Sequence, residues 1–499
     1  MEDAIIVGGG PVGLLLALEL SLAGADPVVL ERYETIDPTI KAGSLNARAA
    51  DALRRRGIAF GGDDPLLTPG TIGVRAPRVP GAVRPEPGPF TPPRFAGHVA
   101  GMTLRPDLVR WDELGRTAES ALVAQQQVQA VLRERLAERG VPVRQSVTVT
   151  GLSVHDDHVV VHADTGDLDA RWVIGADGGR SIVRKSAGFG FDGLGGVMTG
   201  YQALVDGEGL DTIPLGWHVT SAGVFRRMPN NLILTAEFDG APADRDVEIT
   251  AEELTRAIRR VTGVDATVAD VLSATRFTDN TRAADHYRRG RVLLAGDAAH
   301  VHPPFGGQGL SLGVLDATAL GWRLAGVITA RLPESVLEDY DAERRPEAER
   351  ILEWSRAQVA VMRTDERSRA AGRLLRRLID TRDGATEMVR VLSGDVVGYG
   401  APGELAGSFA PDWAGAPGEA GSYFDVAADG AFVLAHRVGA AVPESALSSD
   451  VRVFAGLDVP APLVLVRPDG VIAWAGDDSD ALCDALRTAG RAHNARVRV

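Results

Sequence analysis

The stretch Ala4-Ile5-Ile6-Val7-Gly8-Gly9-Gly10-Pro11-Val12-Gly13, with the apolar run Leu14 to Ala23 and then Val28-Val29-Leu30-Glu31 behind it, decides how the chain is read. Ala4 to Val7 is apolar on consecutive positions, as a buried parallel strand should be. Leu14 to Ala23 reads as an apolar helix closed by Gly24, and Val28 to Leu30 as a second strand ending in Glu31. Glycine stands where a dinucleotide-binding turn needs it: Gly8 permits the tight turn, Gly10 lets a pyrophosphate approach the backbone, and Gly13 lets helix and strand pack closely. Glu31, about twenty residues on, is placed to accept hydrogen bonds from a ribose. A lone GxGxxG is weak evidence. Set between strand and helix, with an acid at the next strand's end, it points to an adenine dinucleotide.

Two later stretches repeat the arrangement. Arg291 to Ala295 reads as a buried strand, Gly296-Asp297 turns the chain at its carboxyl end, and Gly306-Gly307-Gln308-Gly309-Leu310-Ser311 leads into a helix. With so little side chain to pack, the backbone N–H groups there are free to face a flat, polar, electron-rich ring. The alternative is a tight strand-to-helix connection with no ligand. Arg171 to Ile174 is a further strand, running into Gly175-Ala176-Asp177-Gly178-Gly179 and a helix start that carries Arg180 and Arg184. Two acid-bearing turns of this kind, converging on one cofactor, would hold both ends of a long dinucleotide.

Composition narrows the function classes. A chain of 499 residues is long enough for two or three domains. Its 67 acids against 53 bases give a net charge of −14, which opposes non-specific contact with nucleic acid or anionic membrane. Only Lys41 and Lys185 are lysines. The single cysteine, Cys483, rules out an internal disulfide, a CxxC redox pair or a cysteine-built metal site, and no metal is expected. No charged-then-apolar leader precedes the first strand, and the early apolar run is interrupted by Glu19. Neither a signal peptide nor a membrane span is expected, so a cytoplasmic enzyme is the simplest reading.

Elsewhere the pattern is coarser. Ile40 to Asn46 leads into a helix from Ala47 to Arg56; Lys41 there is either a second phosphate contact or a solvated loop residue. Pro65 to Pro93 is crowded with Pro and Gly and reads as a wandering loop. Glu119 to Gly140 is expected to be helical, with an apolar stripe from Val123 to Leu136 and glutamines near its start. From about Phe189 to Asp285 strands are expected at Met198 to Val205, Trp217 to Arg226, Leu232 to Phe238 and Ala274 to Thr278, with a helix from Glu252 to Val261. Tyr201, Trp217, Phe225, Met228 and Phe238 are candidates for an aromatic pocket, although most residues of these types are simply core. Ser335 to Leu352 and Trp354 to Leu378 read as long charged helices. Beyond the Gly/Pro/Ala-rich segment 394–421, the chain becomes short strands with helices, including a hairpin from Leu463 to Trp474 about a Pro-Asp-Gly turn.

These motifs resemble the class A FAD-dependent aromatic monooxygenases, the family that includes tailoring hydroxylases of aromatic polyketide pathways, from the first strand to about Gly394. The resemblance implies an α/β fold: a Rossmann-type FAD-binding domain from 1–188 and 286–394, with a loop at 65–100 reaching the substrate side. It further implies a mixed-sheet substrate domain at 189–285 and a thioredoxin-like C-terminal domain at 395–499 without CxxC, structural or dimerising. The ADP half of FAD would lie on Gly8, Gly10, Pro11, Val12, Gly13, Glu31 and Arg32. Ala176 to Arg184 matches the family's ADGxxSxVR motif, placing Asp177 near FAD and NADPH. Gly296 and Asp297 match its Gly-Asp motif at the ribityl or pyrophosphate region, and Pro303, Pro304, Gly307, Gly309 and Leu310 its loop beside the flavin ring. Lys41 corresponds to a basic pyrophosphate contact, Gly43 and Ser44 lie close to the flavin, and Gln125 corresponds to a glutamine touching the ribityl chain. Two departures stand out: Ser311 replaces a frequent asparagine, and Lys41 replaces arginine, giving a point charge without the bidentate fork.

The activity implied is reduction of FAD by transiently bound NADPH, reaction with O2 to a flavin C4a-(hydro)peroxide, and transfer of one oxygen atom to a polycyclic aromatic substrate, by a monomer or homodimer. Alternatives are Baeyer–Villiger insertion or oxidative ring cleavage, and, from other classes, a flavin reductase or dehydrogenase or a non-enzymatic flavin-binding protein. A halogenase would need a Trp-x-Trp-x-Ile-Pro signature, which is absent. No catalytic side chain emerges; His300 reads as structural, because such a peroxide needs little base help.

Overall fold

In the computed structural model, which describes residues 1–58, 96–114, 120–243, 247–394, 399, 405–418, 421–448 and 450–488, strand Glu2–Val7 lies near the middle of an eight-stranded sheet. Parallel to it on one side is Pro27–Leu30, then Val143–Arg144; on the other are Gly166–Gly175 and Val292–Leu294. These strands are apolar because helices cover both faces, so no residue of Val28 to Leu30 or Val292 to Leu294 exceeds 3% exposure. The register sets Val7 beside both Leu30 and Gly175, and Gly175 beside Leu294. Four neighbouring strands therefore end side by side, and the residues after them share one edge. The expected loop at 65–93 lies outside the described residues.

Helix Pro11–Leu22 packs on this sheet against helix Gly309–Ile328. Small residues bring the two together: a Cβ on Gly321 would meet the Glu19 Cβ at 2.3 Å, and one on Gly313 would meet the Val12 Cγ2 at 2.6 Å. Gly309–Ile328 is, among the described residues, the one helix long and apolar enough to cross a membrane, yet it is buried in the core along nearly all its length.

A second sheet is antiparallel, in the order Gly216–Val219, Val224–Arg227, Leu232–Glu237, Thr199–Glu208 and Thr267–Phe277. The strand expected at Trp217 to Arg226 is instead a hairpin. Its turn is closed by Thr220, whose Oγ accepts the Ala222 and Gly223 N–H groups. Alternation then sorts the aromatic candidates. Tyr201 and Phe225 face helix Ala251–Thr262 and are core there, whereas Trp217, Phe238 and Met228 lie on the opposite face, toward the glycine-rich loop.

Two helix expectations need correction. The helix placed at Glu119 to Gly140 is Gln125–Glu138, because Ala121 is held in a bridge with Leu45, N–H to carbonyl in both directions at 2.8 and 2.9 Å. The helices at Ser335 to Leu352 and Trp354 to Leu378 are Val336–Met362, continuous through Pro346, and Glu366–Ile379, which Asp365 caps.

The C-terminal sheet runs Val451–Gly456, Phe432–Arg437, Leu463–Val466, Ile472–Gly476, its first pair parallel and the rest antiparallel. Read from sequence as a separate unit, it is locked to the first by buried charge. Arg467 spans Glu343 and Asp469 at 2.6 Å each, and Arg323 pairs with Glu343 at 2.8 Å. Arg56, bidentate to Glu19 at 2.7 Å, also donates to the carbonyls of Ala427 and Pro468. Burial disfavours the Asp469 charge, but Arg467, Arg323 and the Val471 N–H outweigh it and hold its pKa down at about 2. The folded chain thus binds fewer protons than the unfolded one between pH 3.8 and 2. The stabilisation, on the order of 2 kcal/mol, is complete above that window and is lost as pH falls through it. We expect Asp469→Asn to be less stable than wild type at neutral pH and the gap to narrow as pH falls from about 4 towards 2. Urea melts at stepped pH measure this, and a constant gap would remove Asp469 from the acid response.

Candidate active site

The edge where the four strands end is built around glycines, of which Gly8 and Gly13 leave no room for a Cβ. Gly8 has φ +112°, and a Cβ on it would stand 2.3 Å from the Ala176 carbonyl oxygen. A Cβ on Gly13 would stand 2.0 Å from the Gly8 oxygen, whereas one on Gly10 would meet nothing within 4 Å. The outer two glycines thus serve packing, and the middle one leaves open space at the start of helix Pro11–Leu22. That helix has no side-chain cap, and its first backbone bond is Leu14 N–H to Gly10, at 3.0 Å. The Val12 and Gly13 N–H groups are therefore free to bind an anion.

Glu31 does more locally than expected. Its carboxylate accepts the Gly9 N–H at 2.6 Å and the Tyr33 N–H at 2.9 Å, so it shapes the glycine turn and keeps lone pairs for a ribose. The Gln129 amide donates to the Gly9 carbonyl at 3.2 Å from the other side. Gln125, expected at the ribityl chain, begins the helix with its N–H on the Ala42 carbonyl at 3.0 Å, and Gln129, one turn further on, reaches the glycine loop. Arg32 stacks on the Tyr33 ring at 4.7 Å. Lys41 is drawn into a local ion pair with Asp37 at 2.9 Å, with its side chain 44% exposed, so the structure does not bring this cation to the glycine turn.

The other strand ends supply acids. Asp177 Oδ2 accepts the Ile182 N–H at 2.7 Å, while Oδ1 is buried without a partner and burial pushes the carboxyl pKa up. Gly296 has φ +62° and presses against Val12, so the Gly-Asp turn and the glycine turn touch. Its N–H donates to Asp316 Oδ2 at 3.0 Å. Asp297 is exposed between buried neighbours, and its carboxylate has no hydrogen bond among the described residues. It is the polar group most available to hydroxyls of a ligand.

Pro304 and Gly307 are exposed in a turn closed by Gly307 N–H to the Pro304 carbonyl at 3.2 Å, with positive φ at Gly306 and Gly307. Ser44 Oγ lies 3.4 Å from where a Gly307 Cβ would be, and its neighbours Gly43 and Ala42 accept the Val123 and Gln125 N–H groups, so this segment joins the turn to the start of helix Gln125–Glu138. Helix Gly309–Ile328 begins uncapped, its first bond running from Leu312 N–H to Gln308. The Gly309 and Leu310 N–H groups are left for a ligand. Three residues were missed. Asn46 donates its N–H to Ser311 Oγ at 2.9 Å and its amide to Gln308 Oε1 at 3.1 Å. The readable signal was Asn46 as a cap before an apolar helix start, which it is, accepting from Ala49. Ser311, noted only as a departure, ties that cap to the core helix.

Residues 1–355 match the FAD binding domain model and 403–492 the aromatic-ring hydroxylase C-terminal model. The chain belongs to the FAD-dependent aromatic-ring monooxygenase family. A rifampicin monooxygenase of Streptomyces venezuelae is 34% identical, with 97% of each chain covered. A dialkyldecalin synthase of Streptomyces rugosporus is 33% identical over 98% of this chain and 99% of its own. A solved anhydrotetracycline hydroxylase of Streptomyces rimosus superposes with TM-score 0.82 at 30% identity, covering 97% of this chain and 98% of its own. The site fits the FAD that this family binds: two uncapped helix starts, open space over Gly10, and the unpartnered oxygens of Asp177 and Asp297.

His300 is fully buried, its Nε2 2.6 Å from Asp316 Oδ2. Arg344 Nε holds Oδ1 of the same carboxylate at 2.8 Å. His300 is thus tied through Asp316 to the Gly296 N–H, while its Nδ1 is buried without a partner. We expect His300→Ala to keep kcat within about tenfold, short of the 10²–10⁴ that a general acid–base contributes; product lost with FAD still bound would assign it to the chemistry. The glycines divide similarly. Gly10→Ala apoprotein should melt as wild type does and bind FAD more weakly, whereas Gly13→Ala should lower the melting temperature even without FAD. Equal melting temperatures for the two apoproteins would refute this division.

Proposed function

We propose that the chain is an NAD(P)H-consuming monooxygenase that places one oxygen atom from O2 on a polycyclic aromatic, polyketide-type substrate, by hydroxylation. The observation that carries this reading is the meeting of two uncapped helix starts, at Gly10 and Gly309, beneath an apolar sheet face bearing Trp217, Leu234 and Phe277. FAD bound there supplies electron storage and the activation of O2.

The chain's own residues do the rest. Gly8, Gly10, Pro11, Val12, Gly13, Glu31 and Arg32 hold the ADP half, and Gly43, Ser44, Gln125, Asp177, Gly296 and Asp297 the middle; Lys41 can join only by leaving Asp37. Pro304, Gly307, Gly309 and Leu310 border the ring. N–H groups at a helix start stabilise negative charge on that ring without reorganising, which favours its reduced form. Phe305, fully buried between Trp217 and Phe277 at 6.3 and 6.2 Å, keeps water from the reacting face. No second dinucleotide fingerprint occurs, so NADPH binds transiently on the FAD unit.

We place the FAD unit at 1–188 and 286–394 and the substrate unit at 189–285. Residues 395–499 are read as thioredoxin-like, a reading supported by a four-stranded sheet with one parallel pair. We place the enzyme in the cytoplasm as a monomer or homodimer. The dialkyldecalin synthase relative favours one second reading, ring formation on the same scaffold.

Turnover of polycyclic phenols with NADPH under 18O2 separates the two. The expected product carries one 18O atom; an isomerised product without label would favour ring formation and overturn the monooxygenase reading.

A further inference from the structure

The face of the antiparallel sheet that looks toward the glycine-rich loop carries a half-buried cation, Arg226, that no carboxylate balances among the described residues. Arg226 sits opposite Trp217 on one neighbouring strand and Leu234 on the other. Its guanidinium carbon is 5.5 Å from the centre of the Trp217 ring, and Nη2 donates to the Met228 sulfur at 2.8 Å. Among the described residues no carboxylate pairs with it. Thioether sulfur is a weak acceptor, so most of the guanidinium's five N–H donors have no protein partner among the described residues. Burial alone pushes its pKa down, with no opposing carboxylate.

Its sequence neighbour shows what a structural arginine looks like here. Arg227, on the other face, donates to the Asp211 and Ile213 carbonyls and to Asn231 Oδ1. Arg227 is buried and bonded to three oxygens, with only its Nε left unpartnered, whereas the half-buried Arg226 has the Met228 sulfur alone. A second polar group is also unpaired there. The His98 ring lies 4.3 Å from the Trp217 ring, and its Nδ1 is buried without a partner. His98 is the titratable group facing Arg226; burial, and then the Arg226 charge, bring its pKa down to about 3, so it is neutral. Trp217, Phe305 and Phe277 continue the wall from these groups to the loop that opens helix Gly309–Ile328.

A half-buried cation with no counter-charge among the described residues is partly stripped of water and gains from an anion brought against it. We propose that Arg226 determines specificity by binding an ionised oxygen on the substrate's ring system, a phenolate, enolate or ring carboxylate, with Trp217 against the ring and His98 Nδ1 as a further polar contact. For a phenol, the proton leaves to bulk water on binding, and the oxyanion releases electron density into the ring that is to be oxygenated. The inference rests on the monooxygenase reading only in placing an aromatic ring on this face.

The test is equilibrium binding to the oxidised holoenzyme without NADPH, so that it does not depend on turnover. The probes are 1,2-dihydroxyanthraquinone, its dimethyl ether and anthraquinone-2-carboxylate; the first changes its visible spectrum on ionisation. With the wild type, the bound phenol should ionise at least about 1 pH unit lower than free, and the ether should bind at least about tenfold more weakly. Arg226→Met should abolish both differences, and Arg226→Lys should keep part of them. A tenfold loss in Arg226→Met confined to the carboxylate would identify that oxyanion as the ligand. FAD absorbance and thermal melts check each variant, with Arg226→Gln replacing Arg226→Met if the latter loses FAD. Binding by all three probes that is the same in wild type and variant, or no probe whose binding depends on Arg226, overturns the proposal. The 18O2 experiment is decided separately, so the two readings fail independently.

Discussion

Asp316 carries the architecture of the site. It is fully buried in the middle of helix Gly309–Ile328, and its two oxygens take the Gly296 N–H, His300 Nε2 and Arg344 Nε. Burial opposes the charge, but His300 and Arg344 outweigh it and hold the carboxyl below its ordinary range. Arg344 extends the cluster to the Leu312 carbonyl and the Tyr399 hydroxyl. One carboxylate thus fixes the end of a central strand, the helix whose start faces the ligand, and the long helix behind it. Removing it would leave Arg344 buried and uncompensated, a change that costs about 3–5 kcal/mol.

The second buried charge cluster serves the same two core helices from the far side. Glu19 lies on the helix that begins at the glycine turn, and Trp322 and Arg323 on the one that begins at Gly309. Arg56, Arg467 and Asp469 bind all of them to the C-terminal sheet, with Trp322 Nε1 donating to Asp469 at 3.2 Å. The C-terminal unit therefore acts as a buttress: it keeps both uncapped helix starts aimed at the same space. Both ligand-facing ends stay unpaired because the cost of ordering them is met elsewhere, in the paired charges behind.

This division also explains the substrate side. The antiparallel sheet offers one face to helix Ala251–Thr262, where Tyr201 bonds Glu253 and Arg276 pairs with the same acid. Its other face keeps Arg226 and His98 without such partners.

Much of the cofactor site could be read directly from the chain, because its physics is local. Glycine at 8, 10, 13, 296 and 307, an acid at each strand end and the apolar strand runs are constraints within a few residues of one another. They imply turns, strands and helix starts whatever lies elsewhere. What the sequence left undecided depends on groups far apart in the chain. The Gln129 contact to the glycine turn, the diversion of Lys41 to Asp37, and Ser311 meeting Asn46 follow from how loops and helices are brought side by side. Which of Tyr201, Trp217, Phe225, Met228 and Phe238 face the ligand depends on a strand register that composition does not reveal. Whether an arginine bonds several oxygens, as Arg227 does, or meets only a sulfur, as Arg226 does, is decided only when the sheet is closed by its neighbours.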